Sequence, residues 1–164
     1  MASFSFRQVD VFTAERFRGN PLAVVLGADG LSDQAMARFA NWTNLSETTF
    51  LLKPKAPDTD YRLRIFTPHH ELPFAGHPTL GSCHVWLSAG NKPKGEFVIQ
   101  ECGAGLVRIR RDGERLAFAA PPLIRSGEVE RETLDTIARG LRIPPAAIQA
   151  SQWCDNGPGW AGIM

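Results

Sequence analysis

Apolar and polar residues alternate over short runs along most of the chain, and two longer stretches carry apolar residues at helical spacing instead. Residues 4–12 and 21–26 read as strands separated by the turn-rich Arg18-Gly19-Asn20. A helix follows, with Ser32 able to cap it and with Leu31 and Met36 placed to close over its first turn. Ala35, Met36, Phe39 and Ala40 form its apolar stripe. Residues 48–52 are β-prone, and in 61–65 the side chains of Tyr61, Leu63 and Ile65 share one face. A second helix is predicted to begin near Pro78, since proline loses no donor at the first helical position, and to run through Leu80, Cys83, His84, Val85 and Leu87 to Gly90. It is apolar on most sides, which predicts a helix enclosed by sheet with His84 as a hydrogen-bonded core histidine. Strands at 96–100 and 106–110 precede the hairpin signal Asp112-Gly113 and a strand at 116–119.

Pro121-Pro122 interrupts the pattern and marks a boundary between a first domain, 1–120, and a segment at 121–164 that reads as a linker and the incomplete start of a second. That segment holds a helix at about 130–139 ended by Gly140, a stop at Pro144-Pro145 and the turn Asp155-Asn156-Gly157-Pro158-Gly159. Residues 160–164 look like the opening of a strand that has no hairpin partner after it.

Composition narrows the class more than the function. The 164 residues suffice for one well-buried core and part of another, and 43% apolar with 21% charged residues argues for a folded protein. Net charge is +1, with basic residues scattered; Arg108 and Arg110 alternate with Val107 and Ile109 as the wet face of a strand, which argues against a nucleic-acid partner. No run approaches a membrane span, and the first residues lack the apolar core of a signal peptide. Cys83, Cys102 and Cys154 are odd in number and widely spaced, as expected of reduced thiols in a cytoplasmic protein.

Two segments have candidate chemistry. In Asn44-Leu45-Ser46-Glu47-Thr48-Thr49-Phe50 a carboxylate stands between a helix end and a strand start, where side chains can reach a cleft. Ser46, Thr48 and Thr49 could hold it, while Leu45 and Phe50 could desolvate it and raise its pKa, which suits a group that takes and returns a proton. A surface glutamate after a helix is the plainer alternative. In the loop from Phe66 to Thr79, Gly76-His77-Pro78-Thr79 sets His77 at a helix start, where free amides and the positive end of the helix dipole favour a carboxylate-bearing substrate. There the alternative is a tight helix entry that His77 merely caps. His69, His70, Glu71, His77 and His84 lie close in sequence but lack the spacing of a zinc site, so no metal is expected. Cys102-Gly103-Ala104-Gly105 lacks the lysine of a phosphate loop and reads as a bend between strands.

Taken in order, several motifs resemble those of the PhzF-like (phenazine biosynthesis-like) isomerases, relatives of diaminopimelate epimerase. They are Val9-Asp10-Val11-Phe12-Thr13, Gly19-Asn20-Pro21-Leu22-Ala23-Val24-Val25, Leu31-Ser32-Asp33, Leu45-Ser46-Glu47-Thr48, Phe66-Thr67-Pro68, Glu71-Leu72-Pro73-Phe74-Ala75-Gly76-His77-Pro78-Thr79 and Asp155-Asn156-Gly157-Pro158-Gly159-Trp160. The resemblance implies an α+β fold, one half of a diaminopimelate epimerase-like pair, with a curved, mostly antiparallel sheet rolled around a central helix. It implies a cofactor-independent isomerase in which Glu47 moves a proton and shifts a double bond in a small carboxylated substrate. The substrate would be held by His77, Gly76, Pro78, Thr79 and Ser46. Epimerase relatives use two cysteines; the first would fall near Gly76 here, so that mechanism is not available. Family members are about twice as long, and their second domain supplies an Asp-Pro-Val-Thr-Gly-like segment that this sequence lacks. The expectation is therefore a truncated chain, inactive or nearly so alone. The alternatives are a non-catalytic module that binds or self-associates, and a hydrolase or metal enzyme using the histidine-rich loop. A homodimer in which one chain covers the other's cleft is motivated by the unfinished strand at 160–164.

Overall fold

Side-chain alternation along three neighbouring strands feeds two separate cores. In β2 (Asn20–Leu26), Leu22 and Val24 point to one side and Val25 to the other. In β3 (Thr48–Leu52), Leu51 faces the first side while Phe50 and Leu52 face the second; in β4 (Tyr61–Phe66), Tyr61, Leu63 and Ile65 face the first and Phe66 the second. A strand with both faces apolar needs a cover on each. The second face is covered by α1 (Asp33–Thr43), through Met36 and Ala40. The first is covered by α2 (Gly76–Ser88), through Cys83 and Val85. This computed structural model describes residues 3–113 and 115–164. Met1 and Ala2, where the predicted first domain and the segment read for a signal peptide begin, lie outside the described residues, as does Glu114 beside the predicted hairpin.

The chain divides into two compact units, 1–120 and 121–164. In the first, β1 (Ser5–Val11), β2, β3, β4, β6 (Val98–Cys102), β7 (Gly105–Asp112) and β8 (Arg115–Phe118) lie side by side in that order, with β5 (Glu71–Leu72) paired to β4. Among the described residues, only β2–β3 and β4–β6 are parallel; the other pairs are antiparallel. The sheet curls around α2, which packs on β1, β2, β3, β4 and β8. This is the α+β half-barrel that the resemblance implies. Close approach of α2 depends on Gly81, where a Cβ would stand 2.6 Å from Leu22 and 2.9 Å from Val11.

Local signals placed several elements well. Ser32 Oγ accepts from the Ala35 amide and caps α1. Cys102 to Gly105 is the bend of the β6–β7 hairpin, with the Ala104 amide bonded to the Pro73 carbonyl. Arg108 and Arg110 are exposed between buried Val107 and Ile109. Others need correction. Strand β6 starts at Val98, two residues late, and α2 starts at Gly76, two residues early. His84 is exposed rather than a core histidine, because the sheet does not close. Its ends, β1 and β8, leave a cavity of about 710 Å³ lined by Val11, Leu80, His84, Arg115 and Leu116.

The second unit is a three-stranded sheet, β9 (Arg125–Gly127), β10 (Ser151–Asp155) and β11 (Ala161–Ile163), in the order β11-β10-β9, with α3 (Arg131–Leu141). Gly140 lies inside α3, and Arg142 ends it in the left-handed conformation with φ 58°. Trp153 donates from Nε1 to Glu130, and Arg125 stacks over its ring at 3.6 Å. The strand at 160–164 is not partnerless: β11 pairs antiparallel with β10, which precedes it. The homodimer thereby loses the observation that motivated it.

Inside the first unit a buried polar chain ties β4 and β6 to the first turn of α2. Tyr61 Oη donates to Gln100 Oε1 at 3.2 Å, Gln100 Nε2 donates to Thr79 Oγ1 at 3.1 Å, and Thr79 Oγ1 donates to the Ala75 carbonyl at 2.9 Å. Removing the middle member strands a buried phenol. Gln100→Leu is expected to destabilise the fold by roughly 1–3 kcal/mol, read as a lower urea midpoint with an unchanged slope.

Candidate active site

Glu47 reaches its place through a short tether. Asn44 ends α1 in the left-handed conformation, φ 54°, which asparagine tolerates well. Four residues later, at Thr48, β3 begins, and Thr43 Oγ1 bonds Thr48 Oγ1 at 2.8 Å across the connection. Because β3 runs parallel to β2, with Ala23 opposite Thr48, the starts of both strands share one end of the sheet. The first turn of α2 arrives at the same end and brings His77 with it.

His77 Nε2 lies 3.2 Å from Glu47 Oε2, with the two side chains only 8% and 15% exposed. Neither atom makes a directed hydrogen bond among the described residues, although both are buried. The two atoms are close but poorly aligned, as is common in a site whose contacts tighten on ligand binding. Burial pushes the Glu47 carboxyl above its usual range. It also holds the His77 imidazole down, to about 4, so His77 is neutral at pH 7. On its other side, His77 Nδ1 stands 3.3 Å from Asn20 Nδ2. The largely exposed Phe12 ring, with backbone φ 68°, lies 6.3 Å from the imidazole.

The helix entry supplies donors. With Ala75 as N-cap, the first intrahelical bond runs from the Thr79 amide to the Ala75 carbonyl. Pro78 therefore sits at the last position that has no donor to lose. The amides of Gly76 and His77 have no hydrogen-bond acceptor among the described residues. The Thr79 side chain is fully buried, with its hydroxyl donating to the Ala75 carbonyl and accepting from Gln100. The hydroxyls flanking Glu47 do not hold it either. Thr48 bonds Thr43, and Thr49 bonds Ser82 and the Ala23 carbonyl. Ser46 is exposed, and Phe50 packs in the core under α1 rather than over the carboxylate. No three His, Cys, Asp or Glu side chains gather as metal ligands among the described residues.

Asn20 escaped sequence reasoning, because Arg18-Gly19-Asn20 read as a turn. The available signal was a polar residue opening an otherwise apolar strand.

Residues 9–160 match the family described as phenazine biosynthesis-like protein. The chain belongs to this family. A relative in Schizosaccharomyces pombe, called antisense-enhancing sequence 1, is 44% identical over all of this chain and 58% of its own length. The trans-2,3-dihydro-3-hydroxyanthranilate isomerase of Pseudomonas aeruginosa is 43% identical over 66% of this chain and 39% of its own. Among solved structures, a predicted epimerase from Pseudomonas aeruginosa is 25% identical with a TM-score of 0.73, covering 92% of this chain and 56% of that one. The chain thus spans about half the length of the curated family relatives it matches.

The two shifts give opposite pH dependences. Glu47 binds its proton more tightly folded than unfolded, so its desolvation costs stability as pH rises above 4.5 through the raised folded value. Glu47→Gln is expected to melt above wild type at pH 8, with the gap closing toward pH 4 in a pH series of thermal melts. His77 binds its proton more weakly when folded, so wild type should lose stability as pH falls from 6.5 to about 4. His77→Gln should lack that share of the acid loss; parallel pH curves for the two proteins would contradict the assignment.

Proposed function

We propose that this chain carries the proton-transfer half of a cofactor-independent isomerase acting on a small carboxylated substrate in the cytoplasm. The observation that supports it most is the desolvated Glu47–His77 pair, whose facing atoms Oε2 and Nε2 make no hydrogen bond among the described residues, beside two free amides at the start of α2. Glu47 as carboxylate takes a proton from one substrate carbon. The released electron pair forms a new double bond, the old double bond's pair takes a proton from the Glu47 carboxyl at a second carbon, after any exchange of that proton with solvent, and Glu47 is again a carboxylate. Nothing is oxidised or reduced, so one carboxyl with a raised pKa suffices as both base and acid. The amides of Gly76 and His77 suit the substrate carboxylate. Neutral His77 offers an N–H to charge that develops as the double bond moves. Three unpaired cysteines support a reducing compartment.

Alone, the 164-residue chain is proposed to turn over substrate slowly or not at all, because the isomerase relatives are about twice its length and a site needs walls on all sides to exclude water. The test uses trans-2,3-dihydro-3-hydroxyanthranilate in deuterated buffer, followed by NMR for isomerisation and deuterium uptake. One arm is the chain itself. The other is a chimera in which its residues 1–120 replace the matching segment of the Pseudomonas aeruginosa isomerase. The expected result is an active chimera, loss of at least a hundredfold in its Glu47→Gln form, and little turnover by the chain alone. Activity retained by Glu47→Gln removes Glu47 as the proton carrier. Turnover by the isolated chain at the rate of the Pseudomonas enzyme removes the need for a further wall.

A further inference from the structure

Asn20 opens β2, and its backbone is fixed opposite Val11 in the β1–β2 pair. The approach to it is tight. A Cβ at the preceding Gly19 would lie 2.2 Å from the Val11 carbonyl oxygen and 2.6 Å from Asp10 Oδ1, and Asp10 Oδ2 accepts from the Arg18 amide at 3.1 Å. The Asn20 side chain is therefore presented from a rigid element. It spans 57 residues of sequence to reach His77, with Nδ2 at 3.3 Å from Nδ1.

An amide nitrogen offers hydrogens and no accepting lone pair, so Nδ1 accepts in this contact. A neutral imidazole has a single N–H, which then belongs to Nε2. That atom faces Glu47 Oε2 at 3.2 Å. The opposite tautomer would set a bare nitrogen lone pair against a carboxylate oxygen in a buried place, two acceptors with no donor between them.

We infer that Asn20 is a positioning residue that selects the Nε2–H tautomer of His77 and so keeps an N–H, rather than a bare lone pair, on the edge of the ring that stands 3.2 Å from Glu47. Its purpose rests on the reading of Glu47 as proton carrier, while its geometry does not. Aspartate at the same position would be nearly isosteric but could only accept, which would draw the proton to Nδ1 and reverse the ring. Identity of the side-chain atoms, rather than bulk, is what matters here.

The test reads the ring directly by long-range nitrogen–proton NMR of 15N-labelled protein at pH 7 without substrate, with His77 assigned by its loss in His77→Gln. Wild type is expected to show His77 as the Nε2–H tautomer alone. Asn20→Ala should give a mixture of tautomers, and Asn20→Asp should place a proton on Nδ1. Wild-type His77 found as the Nδ1–H tautomer overturns the inference, as does an Nε2–H signal unchanged in Asn20→Asp. Should Asn20→Ala fail to fold, the isosteric Asn20→Asp still decides. No substrate enters the measurement, so failure of Glu47 as proton carrier would leave this result standing, and the reverse holds too.

Discussion

The first turn of α2 is the constraint on which the first unit depends. A helix that starts inside a curled sheet brings unpaired amides into a place with little water, where each unmet donor is costly. Here the Ala75 carbonyl takes both the amide and the hydroxyl of Thr79, and Pro78 removes one donor altogether. Gln100 then anchors Thr79 from β6, and Tyr61 anchors Gln100 from β4. Among the described residues the amides of Ala75, Gly76 and His77 remain without an acceptor. The sheet's polar interior thus tethers the helix start while leaving its first amides free.

Desolvation does the electrostatic tuning. One burial acts on two groups of opposite type, raising a carboxyl and lowering an imidazole, so both move toward their neutral forms. The cost is borne by a fold that invests heavily elsewhere: β2, β3 and β4 bury apolar side chains on both faces. Local destabilisation at a site set in such a scaffold is the usual relation between activity and stability.

Much of this was legible in the residues. Period-two runs located the main strands, and Ser32 announced α1 because its hydroxyl does the capping. The start of α2 was misplaced because its N-cap is Ala75, a residue with no capping side chain to read. The short strands β5 and β9 carry too few residues to show a period. Sequence shows that Thr79 adjoins His77 but not which way it points; its hydroxyl turns inward to Gln100. His84 was taken for core because its neighbours are apolar, whereas the opening between β1 and β8 is a property of the whole sheet. Glu47 and His77 stood out through local chemistry and motif order, while Asn20 needed the β2–α2 contact to be seen.

The parallel pairing of β2 with β3 has a kinetic side. Antiparallel neighbours can zip from a turn, but parallel ones must wait for a crossover, here through α1, and such non-local pairings form slowly. Asn20, Glu47 and His77 meet only after that crossover and the arrival of α2. Their meeting therefore reports that the topology is finished: a chain with native-like helices and hairpins but an unlatched β2–β3 seam would look folded by secondary structure and have no site at all.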